Sequence, residues 1–326
     1  MSLLEVENLS LHIGALHALR GVSFSLDAGE CRALVGESGC GKSLTAMSLL
    51  GLTPPGAVFH ADAFTLAGEV LPAQGSPAWR RHRGADIAMI FQNPMTALNP
   101  TQTVGAQLAE SFVLHRNLGR REAMTAAVAL LERLAIPQPA QRAAQYPFEF
   151  SGGMLQRVMI AMAVACRPKL LIADEPTTAL DVTVQAEVLT LLAELQREQG
   201  TALLFITHDL GVVAEIADSV TVMYAGESVE SGSVAQIFNR TAHPYSAALR
   251  AAVPSLKQDR RPEGIVGSPP DLRREVTGCA FAPRCRQRMA ICEDTVPEFQ
   301  CGEGQRVRCW RWHPDHPLRW REAENG

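Results

Sequence analysis

The chain has 326 residues, of which 47% are hydrophobic, and its formal net charge is −4. This length predicts two or three folded units with enough apolar residues for a core. Acidic and basic residues are mixed without a basic stripe, a pattern that argues against a nucleic-acid-binding surface. The longest apolar stretches, such as residues 158–166, are far shorter than the roughly twenty residues of a membrane span.

The N-terminal segment, residues 1–13, alternates apolar and polar residues, contains acids and lacks a basic region. This pattern predicts a β-strand rather than a signal peptide. We therefore expect a cytosolic polypeptide, although it can still dock onto membrane proteins.

Residues 36–43 read GESGCGKS and match the phosphate-loop pattern G-x-x-x-x-G-K-[ST]. They stand between a predicted buried strand, residues 31–36, and a predicted helix, residues 44–52. In such a loop, backbone N–H groups surround phosphate oxygens, and a lysine and a hydroxyl reach the terminal phosphate and its magnesium ion. A simple glycine turn is the less favoured alternative. The predicted nucleotide-binding residues are Gly36, Glu37, Ser38, Gly39, Cys40, Gly41, Lys42 and Ser43.

Continuous apolar runs predict parallel strands that are covered on both faces, at residues 86–91, 169–174, 202–207 and 219–224. Residues 182–200 predict a helix in which Val188, Leu192 and Leu195 share a face and Gly200 supplies the left-handed terminus. Between these elements, residues 93–165 are rich in Ala, Leu, Gln and Arg and predict a helical insertion. The expected fold is therefore α/β, with a mostly parallel sheet and an inserted helical subdomain.

Polar residues follow several of the predicted strands. Asp174 and Glu175 lie at the carboxyl end of a strand, where open α/β sheets bind ligands. Asp174 is expected to hold Mg²⁺ with Ser43, and Glu175 to orient and deprotonate the attacking water. His208 ends another strand at the same edge and is expected to hydrogen-bond the γ-phosphate. Gln92 is expected to contact magnesium and water and to act as a hinge for the insertion.

A second anion site is predicted where Ser151, Gly152 and Gly153 precede a helix, with Ser151 as its N-cap. One nucleotide needs only one phosphate loop. We therefore expect this second site to complete the ATP site of another subunit, so that two chains enclose two nucleotides.

The composition changes after Pro254, which predicts a main domain at 1–254 and a small Cys-rich C-terminal domain at 255–326. In this tail, five, six and sixteen residues separate Cys279, Cys285, Cys292 and Cys309, unlike the paired cysteines of zinc ribbons. Four thiolates could enclose either zinc or an iron–sulfur cluster. Cys301 is the spare cysteine, although it could replace a neighbour. A structural role is expected rather than electron transfer.

Together these motifs resemble those of the ATP-binding subunit of an ABC transporter over residues 1 to about 250. The resemblance implies a P-loop NTPase (RecA-like) fold, ATP hydrolysis with Mg²⁺, and a set of named motifs. These are the Walker A loop (36–43), the Q-loop (Gln92), the signature (Ser151 to Gly153), Walker B (170–174), the catalytic Glu175, the D-loop (179–181, ending in Asp181) and the switch His208.

Residues 91–100, 243–254 and 278–285 more narrowly resemble the dipeptide, oligopeptide and nickel importer branch. The branch implies a sister ATPase subunit, two permeases, an external binding protein and a peripheral location at the cytoplasmic face of the membrane. It favours peptides as cargo, with nickel or a metal chelate as the alternative, and a [4Fe–4S] cluster in the tail over zinc. A soluble ABC ATPase acting on ribosomes or DNA is less favoured, because the chain has neither a second cassette nor a long coiled coil.

Two positions depart from the family pattern. Relatives stack adenine on an aromatic residue where this chain has Ile13, with His12 and His17 nearby. From this we expect ATP and GTP to be hydrolysed at similar rates. The signature continues with Met154 in place of the usual glutamine, a change of smaller expected effect because Ser151 and the glycines carry the phosphate contact.

Overall fold

The computed structural model describes residues 2–178, 180–252 and 264–314. The chain divides into two compact units. The first unit comprises Asp27–Glu30 and Gly75–Ile206, and the second comprises Ser2–Leu26, Cys31–Gln74 and the described residues from Thr207 onward.

The described residues form thirteen β-strands. They are β1 (Ser2–Ile13), β2 (Leu16–Asp27), β3 (Cys31–Val35), β4 (Ala57–His60), β5 (Ala63–Leu66), β6 (Glu69–Val70), β7 (Ile87–Ile90), β8 (Leu170–Asp174), β9 (Ala202–Thr207), β10 (Ser219–Tyr224), β11 (Glu227–Ser233), β12 (Phe299–Gly302) and β13 (Gln305–Val307).

Ten α-helices accompany them, together with five short 3₁₀ turns. The helices are α1 (Lys42–Ser48), α2 (Pro94–Ala97), α3 (Val104–Arg116), α4 (Arg120–Arg133), α5 (Pro139–Ala143), α6 (Gly152–Val164), α7 (Val182–Gln199), α8 (Leu210–Ile216), α9 (Val234–Asn239) and α10 (Pro244–Ala251). No helix within the described ranges combines the length and the apolar composition that a membrane-spanning helix requires.

In the first unit, β7, β8 and β9 form parallel pairs with Ile87 opposite Leu170 and Leu170 opposite Ala202. Every residue of these three strands is buried. Such strands are apolar along most of their length, because helices cover both faces of a parallel sheet. The continuous apolar runs therefore predicted the strands correctly.

Helices α2 to α6 occupy the stretch that was expected to be a helical insertion. The ends of α7 follow the predicted rules: Asp181 caps its first turn, and Gly200 ends it with a φ of 64°. Val188, Leu192 and Leu195 are buried on one face of α7, as their spacing predicted.

The second unit contains two groups of strands. One runs in the order β12-β13-β11-β10-β3, with β3 and β10 parallel and the other pairs antiparallel. The other is an antiparallel sheet in which β1 pairs with β4 and β5, and β5 pairs with β6. The sequence did not predict β4, β5 and β6, because segments of two to four residues show too little periodicity to identify a strand.

The described part of the tail packs into the core of the second unit. Ala280 and Phe281 are buried in the same cluster as Val35, Tyr224 and Tyr245. The predicted boundary between residues 254 and 255 lies outside the described residues. The division into domains 1–254 and 255–326, and the limits of the helical subdomain at about 93–165, stay predictions.

Candidate functional site

The phosphate loop follows β3 and leads into α1, and two of its glycines are required by close packing. A Cβ atom on Gly36 would lie 2.2 Å from the carbonyl oxygen of Met223, a distance that no side chain can occupy. Gly41 has a φ of 105°, and a Cβ atom there would lie 2.6 Å from a methyl group of Leu19. The loop therefore lies directly against neighbouring backbone and side chains, which fixes its curvature.

Lys42 is the first residue of α1 and is 5% exposed. Its Nζ donates hydrogen bonds to the carbonyl oxygens of Gly36 at 2.8 Å and Glu37 at 3.1 Å. The ammonium group is thus held across the loop, while the next residue, Ser43, is exposed. A held cation beside an accessible hydroxyl is suited to bind a phosphate group.

Glu37 is fixed from two sides by residues far away in the sequence. Its backbone N–H donates to the hydroxyl oxygen of Tyr245 at 2.8 Å. Its carboxylate accepts two hydrogen bonds from Arg284, Nη1 to Oε2 at 2.6 Å and Nη2 to Oε1 at 3.0 Å. The hydrogen bond to Glu37 raises the pKa of Arg284 above its usual value. Sequence reasoning missed this pair, since no local pattern connects residues separated by 247 positions.

In the first unit, the structure brings Gln92 and Glu175 together. Gln92 Nε2 donates to Glu175 Oε2 at 3.0 Å, and Thr178 Oγ1 donates to the same oxygen at 3.0 Å. Glu175 has a φ of 47° and donates its backbone N–H to Ile206. A non-glycine residue in this left-handed region carries backbone strain of a kind found at functional sites. The carboxylate is therefore held by two donors at the end of β8, beside the buried Asp174.

The signature residues begin α6 as expected. Ser151 Oγ accepts the N–H of Met154 at 3.4 Å, so Ser151 is the N-cap of a thirteen-residue helix. Ser151 and Gly152 are exposed, and a Cβ atom on Gly152 would meet no atom within 4 Å. The start of α6 therefore has open space around it.

Asp181 caps α7 with its side chain. Its Oδ1 accepts the N–H groups of Thr183 at 3.1 Å and Val184 at 3.0 Å. The structure gives Asp181 a role in ending the loop before α7, and its expected role near the nucleotide stays a prediction. Ala179, the first residue of the predicted D-loop, lies outside the described residues.

The remaining predicted residues divide between the two units. His208 directly follows β9, is exposed and belongs to the second unit, as does the phosphate loop. The first unit holds the other nucleotide-site residues predicted from the sequence, Gln92, Ser151, Gly152, Gly153, Asp174, Glu175 and Asp181.

Next to Ile13, two histidines form an aromatic surface that the sequence did not predict. The rings of His12 and His17 are stacked, with centroids 3.8 Å apart and an interplanar angle of 18°. Burial, followed by the nearby His12 and Arg20, lowers the pKa of His17. The stacked pair supplies two aromatic rings close to Ile13 in the sequence. The isoleucine at position 13 therefore does not by itself mean that this segment lacks aromatic side chains.

The tail places its four predicted ligand cysteines around one cavity. Cys279, Cys285, Cys292 and Cys309 line it together with apolar side chains including Phe281. Cys301 is not part of this lining, and its Sγ lies 3.7 Å from the carbonyl oxygen of Gln305. The structure thus separates the predicted set of four from the spare cysteine.

Burial raises the pKa of Cys279 to about 11 and that of Cys309 to about 12. These two thiols are therefore protonated at neutral pH, and a metal ion would have to displace their protons in order to bind. Among the described residues, no group of three or more His, Cys, Asp or Glu side chains is placed to hold a metal ion. Neither the [4Fe–4S] cluster nor zinc is confirmed by this arrangement.

Comparisons with known proteins identify the chain's family. Residues 19–178 match the family described as ABC transporter, and residues 229–292 match the one described as oligopeptide/dipeptide transporter, C-terminal region. The oligopeptide transport ATP-binding protein OppD of Bacillus subtilis (strain 168) is 47% identical over 323 residues, which cover 97% of this chain and 90% of OppD. The chain belongs to the ABC transporter ATP-binding proteins.

Two further similarities agree with this assignment. The dipeptide transport ATP-binding protein DppD of the same organism is 47% identical over 314 residues and covers 94% of each chain. The solved structure of an ATP-binding subunit of an ABC transporter matches this chain with a TM-score of 0.60 and 30% sequence identity. The match covers 73% of this chain and 93% of the solved chain. The predicted P-loop NTPase fold and the assignment as an ABC ATPase are confirmed.

Proposed function

We propose that this ABC ATPase hydrolyses ATP to power the import of dipeptides or oligopeptides. The observation that carries the proposal is the match of residues 229–292 to the C-terminal region of oligopeptide/dipeptide transporters, in addition to the ATPase match at residues 19–178. The names of the relatives OppD and DppD favour peptides over nickel or a metal chelate as cargo.

The phosphate loop, residues 36–43, is proposed to bind the phosphates of ATP. Two observations support this role. The Lys42 ammonium is hydrogen-bonded to two carbonyl oxygens of the loop, and close packing at Gly36 and Gly41 shapes the loop. Ser43, Gln92 and Asp174 are the proposed Mg²⁺ ligands, because hydroxyl, amide and carboxylate oxygens are the hard donors this ion prefers. Bound Mg²⁺ would neutralise negative charge on the phosphate oxygens.

Glu175 is proposed to accept a proton from the attacking water. An ionised carboxylate that is oriented by fixed donors can position a water molecule and receive its proton. The amide of Gln92 and the hydroxyl of Thr178 supply this orientation at Glu175 Oε2. His208 is proposed to hydrogen-bond the γ-phosphate, consistent with its exposed position after β9.

A second ATPase subunit is proposed to bind its nucleotide partly through the start of α6 of this chain. Ser151 caps this helix and Gly152 has open space around it, so the first backbone N–H groups can approach a phosphate held by another subunit. Asp181 would order the loop that leads into α7, next to this second nucleotide.

We propose that the chain forms a heterodimer with a sister ATPase. The pair would bind peripherally to two permeases at the cytoplasmic membrane face, and an external binding protein would supply the substrate.

The four cavity cysteines are proposed to hold a [4Fe–4S] cluster, with zinc as the alternative. The support is that these four cysteines line one cavity, which supplies the number of thiolates that either group requires. The cluster is preferred because the resemblance to peptide importer ATPases favours it over zinc. The cluster would stabilise the tail.

The import function can be tested with the assembled complex in lipid vesicles. Dipeptides or oligopeptides with the cognate binding protein should stimulate ATP hydrolysis and enter the vesicles, and nickel salts should do neither. Stimulation and uptake of nickel but not of peptides would contradict the proposal. A complex with Glu175→Gln in this chain controls for leakage, since it should bind ATP but lose uptake.

The metal content of the tail can be tested on the full chain purified without oxygen. A brown protein containing iron and inorganic sulfide is expected. Stoichiometric zinc without iron would overturn the cluster proposal.

A further inference from the structure

Arg284 lies in the tail, yet its guanidinium group is among the most firmly held charges of the second unit. Its side chain is 4% exposed and forms the bidentate pair with Glu37 of the phosphate loop. It also donates to the carbonyl oxygens of Ile265 and Val266 at 3.2 and 3.0 Å and to the hydroxyl of Tyr224 at 3.2 Å. A planar, five-donor group in this setting has little freedom to move unless Glu37 moves with it.

The surroundings of Arg284 connect the phosphate loop to the cysteine-lined cavity. Arg284 directly precedes Cys285, and its guanidinium carbon lies 6.0 Å from the ring centroid of Phe281. Phe281 itself lines the cavity and packs edge-on against Tyr224, with centroids 5.3 Å apart. The segment from Phe281 to Cys285 therefore forms part of the cavity wall and also fixes the phosphate loop through Arg284.

Both anchors of Glu37 come from outside the region that matches the ABC transporter family. Tyr245 and Arg284 lie within residues 229–292, the part that matches the oligopeptide/dipeptide transporter C-terminal region. One residue of the phosphate loop, Glu37, is thus held by a segment that lies outside the match to the ABC transporter family.

We propose that Arg284 is a positioning residue that links the cysteine-lined cavity to the phosphate loop and thereby sets the affinity for ATP. Through Glu37 it orders the loop before nucleotide arrives, so less conformational entropy is lost on binding. By linkage, nucleotide in the loop also orders the tail segment around Cys279 and Cys285. The proposal rests on the proposed function only in requiring that the phosphate loop binds ATP.

The first test measures ATP binding and steady-state hydrolysis by the full chain carrying Arg284→Gln. We expect the Kd and the KM for ATP to rise about tenfold, while kcat changes less than about twofold, because Arg284 touches none of the groups proposed to act on water. Arg284→Lys, which keeps the charge but loses the two-pronged contact, should give an intermediate Kd. An unchanged Kd in Arg284→Gln would overturn the proposal.

Glu37→Gln provides an independent variant if Arg284→Gln folds poorly. Because the two residues act as a pair, the double variant should bind ATP about as weakly as either single variant. Additive losses would show that the residues act separately and would contradict the proposal. If the wild type itself fails to bind ATP, the proposed function fails rather than this inference.

A matched control lies in the same tail. Arg288 pairs with Glu293 at 2.7 Å, but the two side chains are 48% and 69% exposed and the pair does not involve the phosphate loop. Screened surface pairs contribute little. Arg288→Gln should therefore leave the Kd for ATP unchanged within about twofold.

The second test measures the coupling between nucleotide binding and the tail segment. A contact that only stabilises the fold would not produce this coupling. Hydrogen–deuterium exchange of residues 278–285 is measured with and without a non-hydrolysable ATP analogue. Nucleotide should slow exchange of this segment in the wild type and in Arg288→Gln, and should have no such effect in Arg284→Gln. Equal protection in all three proteins would overturn the linkage between tail and loop.

Discussion

The phosphate loop and the cysteine-lined cavity are built in different ways. The loop occupies eight consecutive residues, and its shape follows from local sequence and from close contacts at Gly36 and Gly41. The cavity is assembled from Cys279, Cys285, Cys292 and Cys309, which approach one another only through the fold of the tail. Function that is encoded in one loop can be identified from a pattern, whereas function that depends on distant residues needs the structure.

The largest effect is expected in the loop, from Gly36→Ala. The added Cβ atom would lie 2.2 Å from the backbone oxygen of Met223, so the loop must open to accommodate it. We expect ATP affinity, measured by equilibrium binding of a fluorescent nucleotide, to fall by about a hundredfold or more, roughly 3 kcal/mol.

Gly39→Ala is the matched control, because a Cβ atom at this position would meet no atom within 4 Å. Gly39 has a φ of 79°, so this change carries only the backbone cost of about 1–2 kcal/mol. Equal losses of affinity in the two variants would show that packing at Gly36 is not what shapes the loop.

The next effect compares cysteines inside and outside the cavity. The proposed iron–sulfur cluster predicts that Cys292→Ser loses most of its iron, because a serine hydroxyl cannot replace a thiolate as a soft ligand. Cys301→Ser should retain the iron content of the wild type, because Cys301 does not line the cavity. Iron and sulfide analysis of proteins purified without oxygen measures both. Iron loss from the Cys301 variant alone would reverse the ligand assignment.

A smaller effect concerns pH and His243, the residue that caps the start of α10. His243 is 1% exposed, and burial lowers its pKa from 6.5 to about 3. In the unfolded chain the imidazole binds a proton at pH values below its usual pKa of 6.5. In the folded chain it stays neutral down to about pH 3. The unfolded state therefore binds more protons in this window, and stability falls as pH decreases.

We expect this histidine to remove about 2 kcal/mol from the free energy of unfolding between pH 7 and pH 5. His243→Asn keeps an acceptor for the N–H of Tyr245, the bond that caps α10, but cannot titrate. Urea unfolding at several pH values should give a shallower pH dependence for the variant. Parallel curves would exclude His243 as the source of the acid sensitivity.

Sequence patterns predicted the parts of this molecule that depend on local order. Strands β3, β7, β8, β9 and β10 and the helix α7 were found because buried parallel strands and capped helices have distinct patterns. The sequence also placed Gln92 and Glu175 directly after predicted strands, but the hydrogen bond between their side chains is a finding of the structure.

Other contacts were not predictable in this way. The pair between Glu37 and Arg284 joins residues 247 positions apart, and the stack of His12 on His17 depends on how β1 and β2 are connected. Both are tertiary contacts with no periodic signal. The cavity lies between these cases, since the sequence named Cys301 as the spare cysteine but left open that it could replace one of the four that line the cavity.

The most direct test of the catalytic account is single-turnover hydrolysis by the assembled complex. It carries Glu175→Gln in this chain and the equivalent substitution in the proposed sister ATPase. Gln92 and Thr178 hold the Glu175 carboxylate at 3.0 Å each, and the amide that replaces it cannot accept the proton of water. We predict that labelled ATP remains bound and intact for many wild-type turnover times. Release of labelled phosphate at the wild-type rate would contradict the account.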